Sequence, residues 1–164
     1  MNLASIPVPL KTALGEKLPL LLARNIARAP FALQRGVLEK VLHYVLKEAL
    51  RDGELDFLQG QYIKITLEDA HLCWYFGIQG QRIVLKQRAQ ESASIRGNLR
   101  EFMQLATRCE DPDTLFFQRR LMIEGDTEIG LQVKNLLDTL DLDTLPLPLR
   151  KGLELAARLV CRPN

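Results

Sequence analysis

The feature that most constrains this chain is an excess of apolar helical surface over the sheet available to cover it. Val37, Leu38, Val41, Leu42, Val45, Leu46 and Ala49 recur at three- and four-residue spacing up to a stop at Gly53, which predicts a long amphipathic helix. The period then changes to two. Tyr62–Leu67 places Ile63, Ile65 and Leu67 on one face and Tyr62, Lys64 and Thr66 on the other, and Leu72, Trp74 and Phe76 alternate likewise. A Gly-containing turn at Ile78–Gln81, a strand at Arg82–Lys86 and a fourth at Ser92–Arg96 complete a run that reads as an antiparallel meander.

Further stripes flank these strands. Near the N-terminus Leu18, Leu21 and Leu22 share a face beside Arg24 and Arg28, in a helix with Pro19 in its first turn and Pro30 beyond its end. Leu99, Phe102, Met103 and Ala106 follow helical spacing behind an Asn98/Glu101 capping pattern, and this helix is expected to end before Asp111-Pro112. Phe117, Leu121 and Ile123 then predict a strand ending at Gly125, and Asp126 caps a helix carrying Ile129, Val133, Leu136, Leu137 and Leu140. A last helix, Leu149–Cys161, carries Leu149, Leu153, Ala156 and Val160 among Arg150, Lys151, Arg158 and Arg162. Helices, strands, a helix, a strand and two helices make an α+β arrangement. Either every stripe is ordinary core, or one helix packs on other helices and walls a cavity.

At 164 residues the chain suits one core, and 47% apolar with 26% charged residues is an ordinary globular composition. Twenty-two Lys and Arg against 20 Asp and Glu leave a net charge of +2, with no dense basic run, so nucleic acid is not an expected partner. The longest apolar stretch, Leu18–Ala23, contains a proline and meets Arg24, far short of the roughly 20 apolar residues that cross a bilayer. Pro7, Pro9 and Lys11 interrupt any secretory pattern, so the cytoplasm is the expected compartment. Cys73, Cys109 and Cys161 match no disulfide or zinc spacing and read as packing residues of a reducing environment.

Catalysis needs convergent titratable groups, and His43 and His71 have no partner in the pattern. No metal motif and no cofactor fingerprint is present, and Gly77, Gly80 and Gly97 read as turn residues. Gly125, between a strand and a capped helix, reads as a turn glycine, with an anion-binding backbone cluster as the alternative. Arg119 is the odd residue: strict alternation puts it on the face of Phe117, Leu121 and Ile123. There it would meet either an internal carboxylate or the acidic head of a bound ligand.

The stretch Phe116-Phe117-Gln118-Arg119-Arg120-Leu121-Met122-Ile123-Glu124-Gly125-Asp126-Thr127-Glu128-Ile129-Gly130, continuing through Val133-Lys134-Asn135-Leu136-Leu137-Asp138, resembles the SCP2 sterol-binding domain family, and within it the accessory factors of bacterial ubiquinone biosynthesis. Asp52–Gly60 matches the same pattern, and the resemblance covers most of residues 30 to 140. It implies a mostly antiparallel five-stranded sheet covered by helices, with a hydrophobic tunnel. It also implies a non-catalytic, cofactor-free protein that binds isoprenoid quinone precursors or phospholipid on the oxygen-independent route, with UbiU and UbiV among its partners.

On that basis residues 30–145 are expected to form the lipid-binding domain, between an amphipathic extension, 1–29, and a C-terminal amphipathic helix, 146–164, packed on the domain or on the membrane. Leu99, Phe102, Met103, Ile129, Val133, Leu136 and Leu137 are expected to line the tunnel above a floor of Phe117 and Leu121. Leu18, Leu21 and Leu22, with Arg24 and Arg28, either dock on the inner membrane as a peripheral contact or pack on the domain. The rival reading is a scaffold that grips other biosynthetic proteins without carrying lipid.

Overall fold

The computed structural model describes residues 19–21, 23–139 and 145–161. Five strands form one sheet in the order β3-β2-β1-β4-β5: β1 Tyr62–Leu67, β2 Leu72–Gln79, β3 Arg82–Lys86, β4 Ala93–Gly97 and β5 Leu121–Gly125. The meander holds only through β3. Strand β4 crosses back to pair in parallel with β1, Ile63 opposite Ala93, and β5 then pairs antiparallel with β4. At the outer edge of β3, Glu39 accepts a 2.9 Å hydrogen bond from the Leu85 N–H.

The register decides which face is core. Ile63, Ile65 and Leu67 lie opposite Phe76, Trp74 and Leu72; Phe76 and Ile78 lie opposite Leu85 and Ile83; Ile95 lies opposite Ile123 and Gly97 opposite Leu121. All these side chains share one face. The other face holds Tyr62, Lys64, Thr66, Tyr75, Lys86 and Arg96, with Lys86 over the Tyr62 ring and Arg96 bonded to Glu68 and Glu124. Helical side chains join the core cluster on the first face only, so one face of the sheet stays polar.

Helical residues 19–21 and 23–28 form α1, followed by α2 Phe31–Val45 and α3 Lys47–Arg51. The expected continuous helix breaks at Leu46, which leaves helical geometry and is buried. Gln34 ties this region together: its amide donates to the carbonyls of Ile26 and Ala29 and accepts from the Trp74 indole. Leu18, Leu22, Leu140 and Arg162, assigned to helices by pattern, lie outside the described residues.

Helix α4, Leu99–Ala106, is not closed by a capping box. Asn98 makes no side-chain cap, and Asp69 accepts from the Leu99 N–H instead. Asp111-Pro112, expected as a stop, opens a further helix, α5 Pro112–Phe117, in which Asp111 accepts from the Thr114 N–H and Leu115 is fully buried. The strand expected from Phe117 therefore begins only at Leu121. Asp126 caps α6, Thr127–Thr139, as expected, accepting from the Glu128 and Ile129 N–H groups. Helix α7, Leu147–Val160, packs on α4.

Gly125 ends β5 at φ +100°, and a Cβ there would lie 2.6 Å from the Ser92 carbonyl oxygen. Gly125→Ala is expected to cost at least about 2 kcal/mol in urea unfolding.

Candidate apolar binding site

With the sheet apolar on one face, the outer helices bury their stripes against one another, and they leave a pocket of about 490 Å³ between them. Its walls are Val41, Leu42 and Val45 of α2, Phe102, Leu105 and Ala106 of α4, Leu137 in the last turn of α6, Leu145, and Pro148, Leu149, Gly152 and Leu153 of α7. Among the described residues Arg108 is the one charged wall residue, and its guanidinium donates to the Asp138 carbonyl at 3.1 and 3.2 Å. That volume lies within the ordinary range for small-molecule sites, and such a lining suits a water-insoluble guest.

The rotation of α4 makes this wall. Two polar residues of the helix, Glu101 and Gln104, are its buried ones. Both meet Arg120: its guanidinium lies 3.6 Å from the Glu101 carboxylate, 3.5 Å from Glu110, and is hydrogen-bonded to Gln104. With its polar side turned inward, α4 presents Phe102 and Leu105 to α2 and α7. Glu101 Oε2 has no hydrogen-bond partner among the described residues, so the buried carboxylate depends on Arg120 for compensation.

The sequence singles out the neighbouring arginine. Arg119 is exposed at φ +56°, in the turn between α5 and β5, and not on a strand face with Leu121 and Ile123. Alternation fails because residues 112–117 are helical. Phe117, expected as floor, is 91% exposed for the same reason. Leu121, Ile129, Val133 and Leu136 are buried in the core and do not line the pocket. Leu99 and Met103 line a smaller recess of about 100 Å³ with Pro19, Leu20 and Val160. Of the expected lining, Phe102 and Leu137 are brought to the pocket.

Leu21 is 50% exposed, while Arg24 donates to the Asp69 carbonyl and Arg28 to Asn25. The stripes of α2 and α7 are plain in the sequence as helical patterns, but nothing in either signals that Val41 and Val45 face Leu149 and Leu153. The cysteines also depart from expectation. Cys73 is exposed, and Cys109 and Cys161, 52 residues apart, form a disulfide with their Cα atoms 5.5 Å from each other, because α7 ends beside the turn that follows α4.

A larger depression, about 600 Å³, runs along β5. Its walls include Arg119, Glu124, Asp126 and Lys134. Lys134 is bonded to Asp113 at 2.6 Å, which raises its pKa, and the Arg96 guanidinium hydrogen-bonded to Glu124 lowers that of the carboxylate. This groove is charged and solvated, unlike the one between the helices.

A one-faced five-stranded sheet under helices that enclose an apolar pocket defines the sterol-carrier class of α+β domains. The chain belongs to the SCP-2 sterol transfer family, whose model matches residues 38–138. It is 46% identical over 132 residues, 80% of this chain and 76% of the relative, to the ubiquinone biosynthesis accessory factor UbiT of Escherichia coli strain K12, with the same match to that of Escherichia coli O157:H7. In fold it is similar to a UbiJ-SCP2 ubiquinone synthesis protein, with a TM-score of 0.54, 13% identity, and coverage of 66% of this chain and 97% of that one.

Arg120→Met is expected to destabilise the protein by about 3 kcal/mol by stranding the Glu101 carboxylate, and Arg120→Met with Glu101→Leu to recover most of that. Urea unfolding of both single variants and the double one measures the coupling.

Proposed function

We propose that the protein is a non-catalytic accessory factor that holds an isoprenoid quinone precursor, or phospholipid, for ubiquinone biosynthesis. The observation that carries the reading is the helix-walled pocket of about 490 Å³, in which Arg108 is the only charged lining residue among those described. Each buried CH₂ is worth about 0.8 kcal/mol, so enclosing two isoprene units would contribute about 8 kcal/mol before the entropy of association is subtracted. Partial enclosure of a polyprenyl tail therefore suffices, and its reactive ring would project outside for other proteins to modify. The likeness to UbiT supports assignment to that pathway. The oxygen-independent branch, with UbiU and UbiV as partners, belongs to the same reading. So does a division into an extension, 1–29, a binding domain, 30–145, and a C-terminal amphipathic helix, 146–164, packed on the domain or the membrane.

Gly152 separates binding from folding. It lies in the middle of α7 and lines the pocket, and a Cβ built on it meets nothing within 4 Å. Gly152→Leu is expected to improve helix propensity by up to about 1 kcal/mol while filling the cavity. Lipid extraction and mass spectrometry of freshly purified protein should then show at least a tenfold loss of prenyl or acyl cargo with thermal stability equal or higher. Gly36→Ala on exposed α2, where space is equally open, should stabilise without changing cargo. Undiminished cargo in Gly152→Leu would rule out this pocket.

Loading needs contact with a bilayer, and no described helix is long and apolar enough to cross one. The reading places Leu18, Leu21 and Leu22 on the membrane surface with Arg24 and Arg28 toward the headgroups. Leu21 and Ile26 are half exposed, so Leu21→Glu with Ile26→Glu should abolish flotation with anionic liposomes and leave the unfolding midpoint nearly unchanged. Equal flotation would reject docking through this helix. Scaffolding without cargo is favoured by one observation, the exposed apolar row Leu33, Val37 and Tyr44 on α2. It predicts normal pathway function in Gly152→Leu.

A further inference from the structure

We propose that Cys109 and Cys161 form a reversible thiol–disulfide latch that pins α7 in place as a wall of the apolar pocket. Cys109 follows α4 and Cys161 caps the C-terminus of α7, and their Cα separation of 5.5 Å falls in the middle of the range a disulfide spans. The Thr107 hydroxyl lies against both sulfurs.

The rest of α7 is held by apolar packing of half-buried residues on α4. Val160 is its one buried residue, and its ion pair, Arg150 with Glu154, is internal to the helix. Apart from the Thr107 contact to Cys161, no hydrogen bond or ion pair among the described residues joins an α7 side chain to another element. Yet this helix supplies Leu149, Gly152 and Leu153 to the pocket. The covalent tie thus lies on a helix whose polar side chains bond to no other described element, and its loss would leave that wall to apolar packing on α4.

Cys161 is exposed, so a small disulfide such as glutathione disulfide can reach it. One thiolate of the pair attacks that disulfide, forming a mixed disulfide and releasing one glutathione thiol. The second protein thiolate displaces the other glutathione. Two protein thiols thereby lose two electrons and two protons, and one glutathione disulfide becomes two thiols. Glutathione in excess reverses both steps.

The consequence for cargo rests on the lipid-binding reading, whereas the latch does not. The test uses the full chain equilibrated with glutathione buffers, followed by alkylation with peptide mapping and by hydrogen exchange. In oxidising buffer Cys73 alone should alkylate, in reducing buffer all three cysteines, and α7 amides should exchange at least tenfold faster once reduced. Cys161→Ser should show fast exchange in both buffers, and Cys73→Ser should keep the response. Absence of a Cys109–Cys161 linkage at every glutathione ratio, or a linkage that leaves α7 exchange unchanged, overturns the latch. Cargo dissociation into acceptor liposomes should be about tenfold faster in the reduced protein. Equal dissociation despite a responding helix removes the gating role, and a responding helix in protein that holds no lipid in either state keeps the latch while defeating the lipid reading.

Discussion

The rest of the structure depends on the sheet being apolar on one face only. Lys64, Thr66, Tyr75, Lys86 and Arg96 occupy the opposite face, and no described helix closes over them, so the described amphipathic segments share the other face. A five-stranded sheet has room for one helical layer. Helix α6 takes the ground above β4 and β5, sending Ile129, Val133 and Leu136 into the core, while α2 lies along β3. Part of the remaining apolar helical surface, on α2, α4 and α7, meets other helices instead of the sheet. Helices meet as cylinders whose side-chain ridges do not fill every gap, and the pocket is the space left where three of them converge.

Within that layer an ionic contact sets the geometry. Arg120, fixed in the turn before β5, draws Glu101 and Gln104 inward and so determines the angle of α4 about its own axis. Had α4 buried Phe102 and Leu105 against the sheet, as an ordinary amphipathic helix would, the pocket would lose its central wall and Arg120 its acceptors. A buried ion pair contributes little net stability, since desolvation opposes its Coulomb attraction, but it discriminates strongly between helix orientations. We place its importance in orienting the binding wall.

Much of this fold is legible in the residues, and the failures have physical causes. Alternation in Tyr62–Leu67 and Leu72–Phe76 assigns the core face correctly, because period two is a local property of a strand. Strand order is not local: β4 pairs in parallel with β1, and the edge of β3 is bonded to Glu39 of α2, 46 positions away, neither of which a strand's own alternation reveals. Reading Arg119 for Arg120 as the internally paired cation follows from treating 117–125 as one strand. The Asp111-Pro112 pair is a good helix opener as well as a stop, and Thr114, whose N–H completes the cap, favours the first use. For the site, Phe102 and Leu137 follow from periodicity. Leu99, Met103, Leu121, Val133 and Leu136 do not line the pocket, because a stripe shows that a side is buried and not whether its neighbour is core, another helix or a cavity. Cys109 and Cys161 are silent in sequence for the same reason, since their approach exists only once α7 has packed on α4.

The placement of the pocket also accounts for how a guest could enter a folded protein. Helix α2 contains no fully buried residue and α7 has only Val160, whereas the strands and α6 carry most of the core. Elements with little buried apolar surface open at low free energy, independently of the global unfolding that the sheet resists. Gly152 weakens α7 further, since a mid-helix glycine costs about 1 kcal/mol relative to alanine. That cost has no evident structural return, because the space beside Gly152 is empty in the folded chain. A residue that destabilises its own helix while keeping a cavity clear is better understood as serving what occupies the cavity. On the proposed lipid-binding reading, α7 is the wall through which a tail would enter, because α2 is bonded to the sheet through Glu39 and Gln34 and the Arg120 contact fixes α4.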